Sequence, residues 1–356
     1  MAQSSWATLT NTYFKTLGLA GLIAAVFPGV SAAQDDGIRI GFLLKTMQEA
    51  RYQTDKSLFI ARAESQGAEV VFDSSGNDPL RQLQQVEEML ESGIDVLVLQ
   101  PVNTGTAGAL VNLAHDHGVK VVGYDSMLQN GPLDVMVMQD SWAVGRMQAE
   151  AMVNWFRTTR GDVAGRVALI RGQPGDANAE ALSSGALEVI SANPGLELVA
   201  DRSHVDWSSD MARDTVENLL VEYDNGVDAF IANNSGLAFG VLAALQDEDL
   251  ASTKQVFVAG SDADLRNVRL VASDVQALEI WKEIKPLAYA AADTAIKIAQ
   301  SPDAAITDLI GDHALVNNGF AEIPTIITPV ISVSKQTIDD TVIKGGFYTS
   351  EQVYQN

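Results

Sequence analysis

The sequence predicts an α/β protein built from two consecutive doubly wound units, each with a parallel sheet. Three observations carry that prediction. Short β-rich apolar runs alternate with amphipathic helical stretches from Ile38 onward, with glycines closing several helices. The run IDVLVLQP (94–101) is apolar on both faces, as in a strand covered by helices on both sides. The chain of 356 residues is also longer than one hydrophobic core usually organises.

In order, IRIGFLL (38–44) reads as the first strand. A helix over 51–66 follows, with Phe59, Ile60 and Ala63 inward and Gly67 at its end. AEVVFD (68–73) is the second strand. Asp78 caps a helix that begins at Pro79 and carries Leu80, Leu83, Val86, Met89 and Leu90 at helical spacing before Gly93. After IDVLVLQP, the stretch TAGALVNLAHDHG forms a helix leading to KVVGYDSML (120–128), an apolar strand ending in a carboxylate. DVMVMQD (134–140) closes the first unit. The alternation then restarts with strands RVALIRG (166–172), LELVADR (196–202), VDAFIANN (227–234) and QVFVAGSD (255–262). Helices are expected around 141–158, 178–192, 208–222 and 236–247.

The first 33 residues read as an export signal: Lys15, the apolar run LGLAGLIAAVF (17–27), then small residues up to Ala33. That run is shorter than the ~20 residues of a spanning helix. Without residues 1–33 the charge would be 22 − 46 = −24, because Lys15 is their one charged residue. Such acidity argues against a nucleic-acid partner. The absence of cysteine excludes disulfides and thiolate metal sites, and it is compatible with a periplasmic location.

Sequence templates for dinucleotide, nucleotide, serine-hydrolase and zinc-protease sites (GxGxxG, GxxxxGK[ST], GxSxG, HExxH) are missing, so no cofactor and no metal are expected. The four histidines are scattered, and His115 and His117 do not share a helix face. What remains is a set of polar side chains at strand tips, where open parallel sheets bind ligands. Asp125 and Asp262 are either helix N-caps or ligand groups. Together with Asn234 at a third tip they favour a polyhydroxylated ligand. Arg51 and Tyr52 offer a cationic fork and a ring face, or are a solvated Arg and a half-buried Tyr. Trp207 would stack on a sugar or pack in the core, and Lys282 would be a hinge-side ligand group or simply exposed.

These residues, with ESQGAEV (64–70), GIDVLVLQP (93–101), GSDADL (260–265) and above all DDTVIKGGF (339–347), resemble the periplasmic sugar-binding proteins of ABC importers. The likeness is to the ribose/galactose type, and within it to the D-xylose binders, over nearly all of the chain after the export signal. It implies a type I periplasmic binding protein fold with a three-crossover hinge. By resemblance the crossings lie near Gln139–Asp140, Lys282–Glu283 and Gly319–Pro324. One lobe would then comprise 34–139 plus 283–319, the other 140–282 plus 320–356. The ligand-binding residues implied are Arg51, Tyr52, Asp125, Ser126, Asn178, Trp207, Asn234, Asp262 and Lys282. Ser126 stands where xylose binders carry Arg, Ser141 and Ala177 where they carry Asn, Ser235 for Asp, and Lys45 and Thr46 for an acidic pair. The Asp-Gly-Trp segment of xylose binders lacks its Gly between Asp206 and Trp207. The implied partners are a monosaccharide, an inner-membrane permease and a chemoreceptor as a further reader, with the protein acting as a monomer. The competing class is a glycosidase-like enzyme with Asp125 and Asp262 as its carboxyl pair. A regulator's sensing domain would need a helix-turn-helix before Ile38, where the export-like segment stands.

Overall fold

A computed structural model of the chain describes residues 37–355; the expected export segment lies outside them. The first lobe contains β1 (Arg39–Leu44), α1 (Arg51–Glu64), β2 (Glu69–Ser74), α2 (Pro79–Glu91), β3 (Val96–Leu99), α3 (Gly108–Asp116), β4 (Lys120–Tyr124) and β5 (Val135–Gln139). The second lobe runs through α4 (Ser141–Trp155), β6 (Gly165–Arg171), α5 (Ala177–Ser191), β7 (Leu196–Ser203), α6 (Ser209–Glu222), β8 (Ala229–Ala232), α7 (Ser235–Asp247), β9 (Phe257–Ser261), α8 (Leu265–Ala272) and β10 (Leu278–Lys282). The chain then returns to the first lobe with α9 (Ile284–Gln300), α10 (Ile306–Ile310), β11 (Ala314–Asn317) and β12 (Glu322–Thr328). It ends in the second with β13 (Val330–Val333) and α11 (Ser350–Tyr354).

The sheet orders are β11-β12-β5-β4-β3-β1-β2 and β13-β10-β9-β8-β6-β7. All pairings are parallel except β11 with β12 and β10 with β13. Each sheet is doubly wound, so the order reverses beside β1 in one and beside β6 in the other, and the strand ends there open onto a crevice. The strands read as continuous apolar runs because both faces are covered. Along β1, Ile40, Phe42 and Leu44 join one core with Phe59 of α1 and Leu287 of α9, while Leu43 points into the other with Val86 and Val111. Helix α2 starts where Asp78 accepts from the backbone N–H groups of Leu80 and Arg81, with Pro79 at its first position. Among the described residues no helix is long and apolar enough to cross a membrane.

Two crossings fall after Gln139 and after Lys282, since α4 packs on α5 and the second sheet, and α9 packs on α1 and the first. The third does not fall at Gly319–Pro324. Gly319 (φ 87) turns β11 into β12, and β12 remains in the first sheet beside β5. Pro324 breaks nothing, because the ladder with β5 begins one residue later, at Thr325 opposite Met136. The lone residue between β12 and β13 is Pro329, so residues 320–328 belong to the first lobe. The long helix α9 had no counterpart in the sequence reading. Its Pro286 sits in the first turn, where a missing N–H costs nothing. The segment 339–347 anchors the far side of the hinge: Phe347 stacks on Trp281 of β10 at 5.3 Å between ring centroids.

Helices α4 and α5 touch through two glycines. A Cβ on Gly145 would lie 1.8 Å from the carbonyl oxygen of Leu182, and one on Gly185 would lie 2.0 Å from that of Trp142. Backbone is the obstacle in both cases, so no rotamer change relieves it. Gly185→Ala is expected to lower the unfolding free energy by about 1–3 kcal/mol, read by urea denaturation; an unchanged midpoint would mean the helices have slack.

Candidate functional site

Both strand-tip aspartates have left-handed backbone, Asp125 at φ 62 and Asp262 at φ 95, followed by Ala263 at φ 58. Neither caps a helix: no helix begins after Asp125, and α8 begins at Leu265 with Asp264 before it. The N-cap reading of these two residues is therefore replaced by another. The turned backbone hands each carboxylate to the crevice, at a conformational cost of about 1–3 kcal/mol for such a residue. Each is anchored through its own N–H, Asp125 to the Val137 carbonyl (2.9 Å) and Asp262 to that of Ile280 (2.8 Å).

The two carboxylates meet at one guanidinium. Arg51, the first residue of α1, places Nη2 3.2 Å from Asp125 Oδ1 and Nη1 3.2 Å from Asp262 Oδ1. Its Nε reaches Asp55 one turn along (3.4 Å), and Asp55 also accepts the Tyr124 hydroxyl. Lys282 Nζ lies 2.7 Å from the same oxygen of Asp262. Asp125 Oδ2 accepts from Gln100 Nε2 (2.8 Å) and from Asn178 Nδ2 of the second lobe (3.2 Å). Asn234 does two jobs: its Oδ1 caps α7 at Leu237 N–H, and its Nδ2 donates to Glu49 Oε2 at 3.4 Å.

Eight of the nine expected residues line one inner cavity: Arg51, Tyr52, Asp125, Asn178, Trp207, Asn234, Asp262 and Lys282. Ser126 sits behind it, its hydroxyl accepting from Asn178 Nδ2 at 2.9 Å. The exposed readings of Arg51 and Lys282 and the half-buried reading of Tyr52 fail, since all three are buried. Trp207 is buried too, and its ring lies against Gly172, where a Cβ would come within 2.3 Å. The glycine missing before Trp207 is replaced by backbone that bends without it: Asp206 and Trp207 are both left-handed, at φ 56 and 54.

Two lining residues, Lys45 and Glu49, were not anticipated as site residues. They lie in the irregular link between β1 and α1, where no periodicity marks a side chain's direction. Lys45 Nζ crosses the cleft to Asp176 Oδ2 at 2.6 Å and lies 5.2 Å from the Trp207 ring centroid. Asp176, which caps α5, belongs to the stretch Gly172 to Asp176 that the sequence places at a strand tip. The space also differs from the single monosaccharide-sized gap expected. The inner cavity is about 10 Å³, room for about one water, while a mouth cavity of about 570 Å³ shares Glu49, Arg51, Trp207, Asn234 and Asp262 with it. The charged groups have closed on one another.

Burial acts to raise the carboxyls of Glu49, Asp125 and Asp264, and nearby cations oppose it. For Asp125, burial is outweighed by Arg51, Lys282, Lys45 and the Gln100 hydrogen bond, so its pKa lies below the usual carboxylate range. Burial raises Glu49 to about 7, with Lys45 opposing and Asp262 adding. Asp264 rises to about 6 through burial and the charge of Asp262. Behind the site, Glu279 Oε2 lies 2.7 Å from Ser235 Oγ and accepts from Ala263 N–H (3.0 Å), propping the turned segment that carries Asp262. Burial takes Glu279 to about 8. The Ser235 hydroxyl faces both Glu279 and the Ser261 carbonyl while accepting from Asp264 N–H. With one proton it cannot donate to both, and a protonated Glu279 resolves the conflict by donating to it. Among the described residues no group of three or more His, Asp or Glu side chains could hold a metal ion.

Residues 40–303 match the family described as periplasmic binding protein domain. The chain is 32% identical over 345 residues to the D-xylose-binding periplasmic protein of Haemophilus influenzae, covering 94% of this chain and 98% of that protein. It is 31% identical over 327 residues to the D-xylose-binding periplasmic protein of Escherichia coli, covering 90% and 94%. A solved ABC-transporter solute-binding protein from Clostridium phytofermentans, with bound β-D-glucose, superposes with a TM-score of 0.78 at 22% identity. That match covers 88% of this chain and 99% of the other.

The carboxyl shifts set opposite limits on stability. Asp125, with its folded pKa lowered, stabilises the fold above its unfolded value, and that stability is lost as pH falls through the folded value. Glu279 is raised from 4.5 to about 8, so its contribution is whole below its unfolded value and is lost as pH rises through about 8. Maximum stability is therefore expected in mildly acidic solution. Glu279→Gln should remove about 3–4 kcal/mol of the decline between about pH 5 and about pH 8, followed by urea denaturation across pH. A decline of the same size in the variant would place the titration elsewhere.

Proposed function

Since this chain belongs to the periplasmic binding protein domain family, we propose that it captures a monosaccharide, a xylose-like pentose or a related sugar, by hinge closure. The loaded monomer then delivers the sugar to the permease of an ABC importer in the inner membrane. The observation that carries this reading is the pattern of unmatched polar atoms. Around the inner cavity, Arg51 Nη2 and Trp207 Nε1 are buried donors without an aligned acceptor, and Glu49 Oε1 is a buried acceptor without a donor. Vicinal hydroxyls both donate and accept, so a polyol is the chemistry that completes such a set. The Trp207 indole and the Tyr52 ring supply apolar faces for sugar C–H groups.

For a sugar to enter, the lobes must part and the direct contacts Arg51–Asp262, Asn178–Asp125 and Lys45–Asp176 must yield. Ligand hydroxyls then take their places on reclosure. Asp125, flanked by Arg51 and held ionised, is the wrong partner for acid catalysis, and the matched relatives are binding proteins. The glycosidase reading is dropped.

A thermal-shift screen of the exported protein against pentoses, hexoses and polyols is expected to give a saturable rise in Tm with at least one of them. Asp125→Ala and Asp262→Ala should each weaken that sugar by about tenfold to a hundredfold, since hydrogen bonds to charged groups contribute about 1.5–3 kcal/mol. Parental affinity in both variants, or turnover of the sugar, defeats the assignment.

A further inference from the structure

Glu49 lines both the inner cavity and the mouth cavity, so it stands where the two meet. It comes from the link before α1 on the first lobe, yet its Oε2 partner, Asn234, belongs to the second. Its other oxygen is buried and accepts from nothing. The carboxyl can acquire this geometry in the closed cleft alone, because its partner lies on the opposite lobe. We propose that Glu49 is a specificity-determining residue of the closed cleft, its Oε1 hydrogen-bonding one hydroxyl of the bound sugar while Oε2 holds Asn234.

This rests on the sugar-binding reading and deepens it by assigning one hydroxyl to one side chain. The charges facing Glu49 are Lys45 and Arg51 from its own lobe, and Asp262 and Lys282 across the cleft. Asp206, Asp264 and Arg266 border it at the mouth. Burial outweighs the cations and brings the carboxyl to about 7. Below about pH 7 it is thus a neutral acid in the closed cleft, able both to donate to and to accept from a hydroxyl. In an open cleft the carboxyl regains water and its ordinary value, so closure takes up a proton between the two values. The sign follows: closure, and with it sugar affinity, weakens as pH rises from the ordinary carboxylate range through about 7.

The test is calorimetric titration with D-xylose, or with whichever sugar of the panel shifts Tm most, and with the monodeoxy analogues of that sugar. Removing one particular hydroxyl should weaken binding to the parent protein by about tenfold and leave Glu49→Ala unaffected, since the partner is already gone. Glu49→Gln, which keeps donor and acceptor but cannot titrate, should retain that hydroxyl preference. It should also lose most of an approximately tenfold fall in affinity between about pH 5.5 and about pH 7.5. The proposal is overturned if every deoxygenation costs Glu49→Ala as much as the parent, or if Glu49→Gln keeps the full pH dependence. Failure of the parent to bind any sugar overturns the sugar-binding reading together with this one. Intact sugar binding indifferent to Glu49 overturns this one alone.

Discussion

The arrangement depends on a single buried guanidinium. Arg51 faces carboxylates from three elements, Asp55 on its own helix, Asp125 at the tip of β4 and Asp262 at the tip of β9 across the cleft. All four side chains are buried. A buried carboxylate without a counter-charge costs several kcal/mol, so the two lobes can bring their strand tips together only because this cation lies between them. Burial would by itself lower the Arg51 pKa, but the surrounding carboxylates hold it well above the usual value, and the charge is permanent. Lys45 and Lys282 extend the same logic to Asp176 and to the shared oxygen of Asp262.

This constraint explains why the backbone is turned where it is. A strand that simply ended would send its last side chain along the sheet face, into apolar packing. The positive φ of Asp125 and of Asp262 redirects each carboxylate toward Arg51, and both strained residues are tied down by a backbone bond to the neighbouring strand. Behind Asp262 the support is a buried polar network, Glu279 with Ser235, Gln276 and the Ala263 N–H. Gly260 is part of it, because a Cβ there would lie 2.2 Å from Glu279 Oε1. The network spends its hydrogen bonds on fixing a turn, which keeps Asp262 in place whether or not the lobes are apart.

Much of this was legible in the chain. KVVGYD and QVFVAGSD announce buried strands that end in a carboxylate, and doubly wound topology puts such ends at a ligand crevice. Legibility stopped where side-chain direction is set by irregular backbone. Lys45 and Glu49 lie in a link without a period, so nothing in their spacing places them inward. The resemblance put a crossing near Gly319–Pro324, yet Pro324 is an ordinary member of β12, because its position relative to the β5 ladder is a tertiary fact. The glycine absent before Trp207 looked like a defect, yet Asp206 adopts the same left-handed backbone. Cavity size was beyond reach altogether, since it depends on which charged groups pair across the cleft.

The pairing across the cleft also bears on how a ligand could drive closure. The carboxylates already face cations without one, through Lys45–Asp176, Arg51–Asp125, Arg51–Asp262 and Lys282–Asp262, so neutralising charge is not what a ligand would add. What the closed cleft lacks is partners for Trp207 Nε1 and Glu49 Oε1, while Arg51 Nη2 has the Asp125 charge beside it without an aligned hydrogen bond. A buried polar atom left unmatched costs about 1–3 kcal/mol, so two of them disfavour the empty closed form by about 2–6 kcal/mol. Shifting an open-to-closed equilibrium from about 99:1 to about 1:99 takes about 5.5 kcal/mol, the same order. A ligand whose hydroxyls replace the contacts that part on opening, and also supply those two partners, is therefore sufficient to operate the hinge. Selectivity then resides in which hydroxyls stand where the unmatched atoms point, rather than in the area of sugar covered.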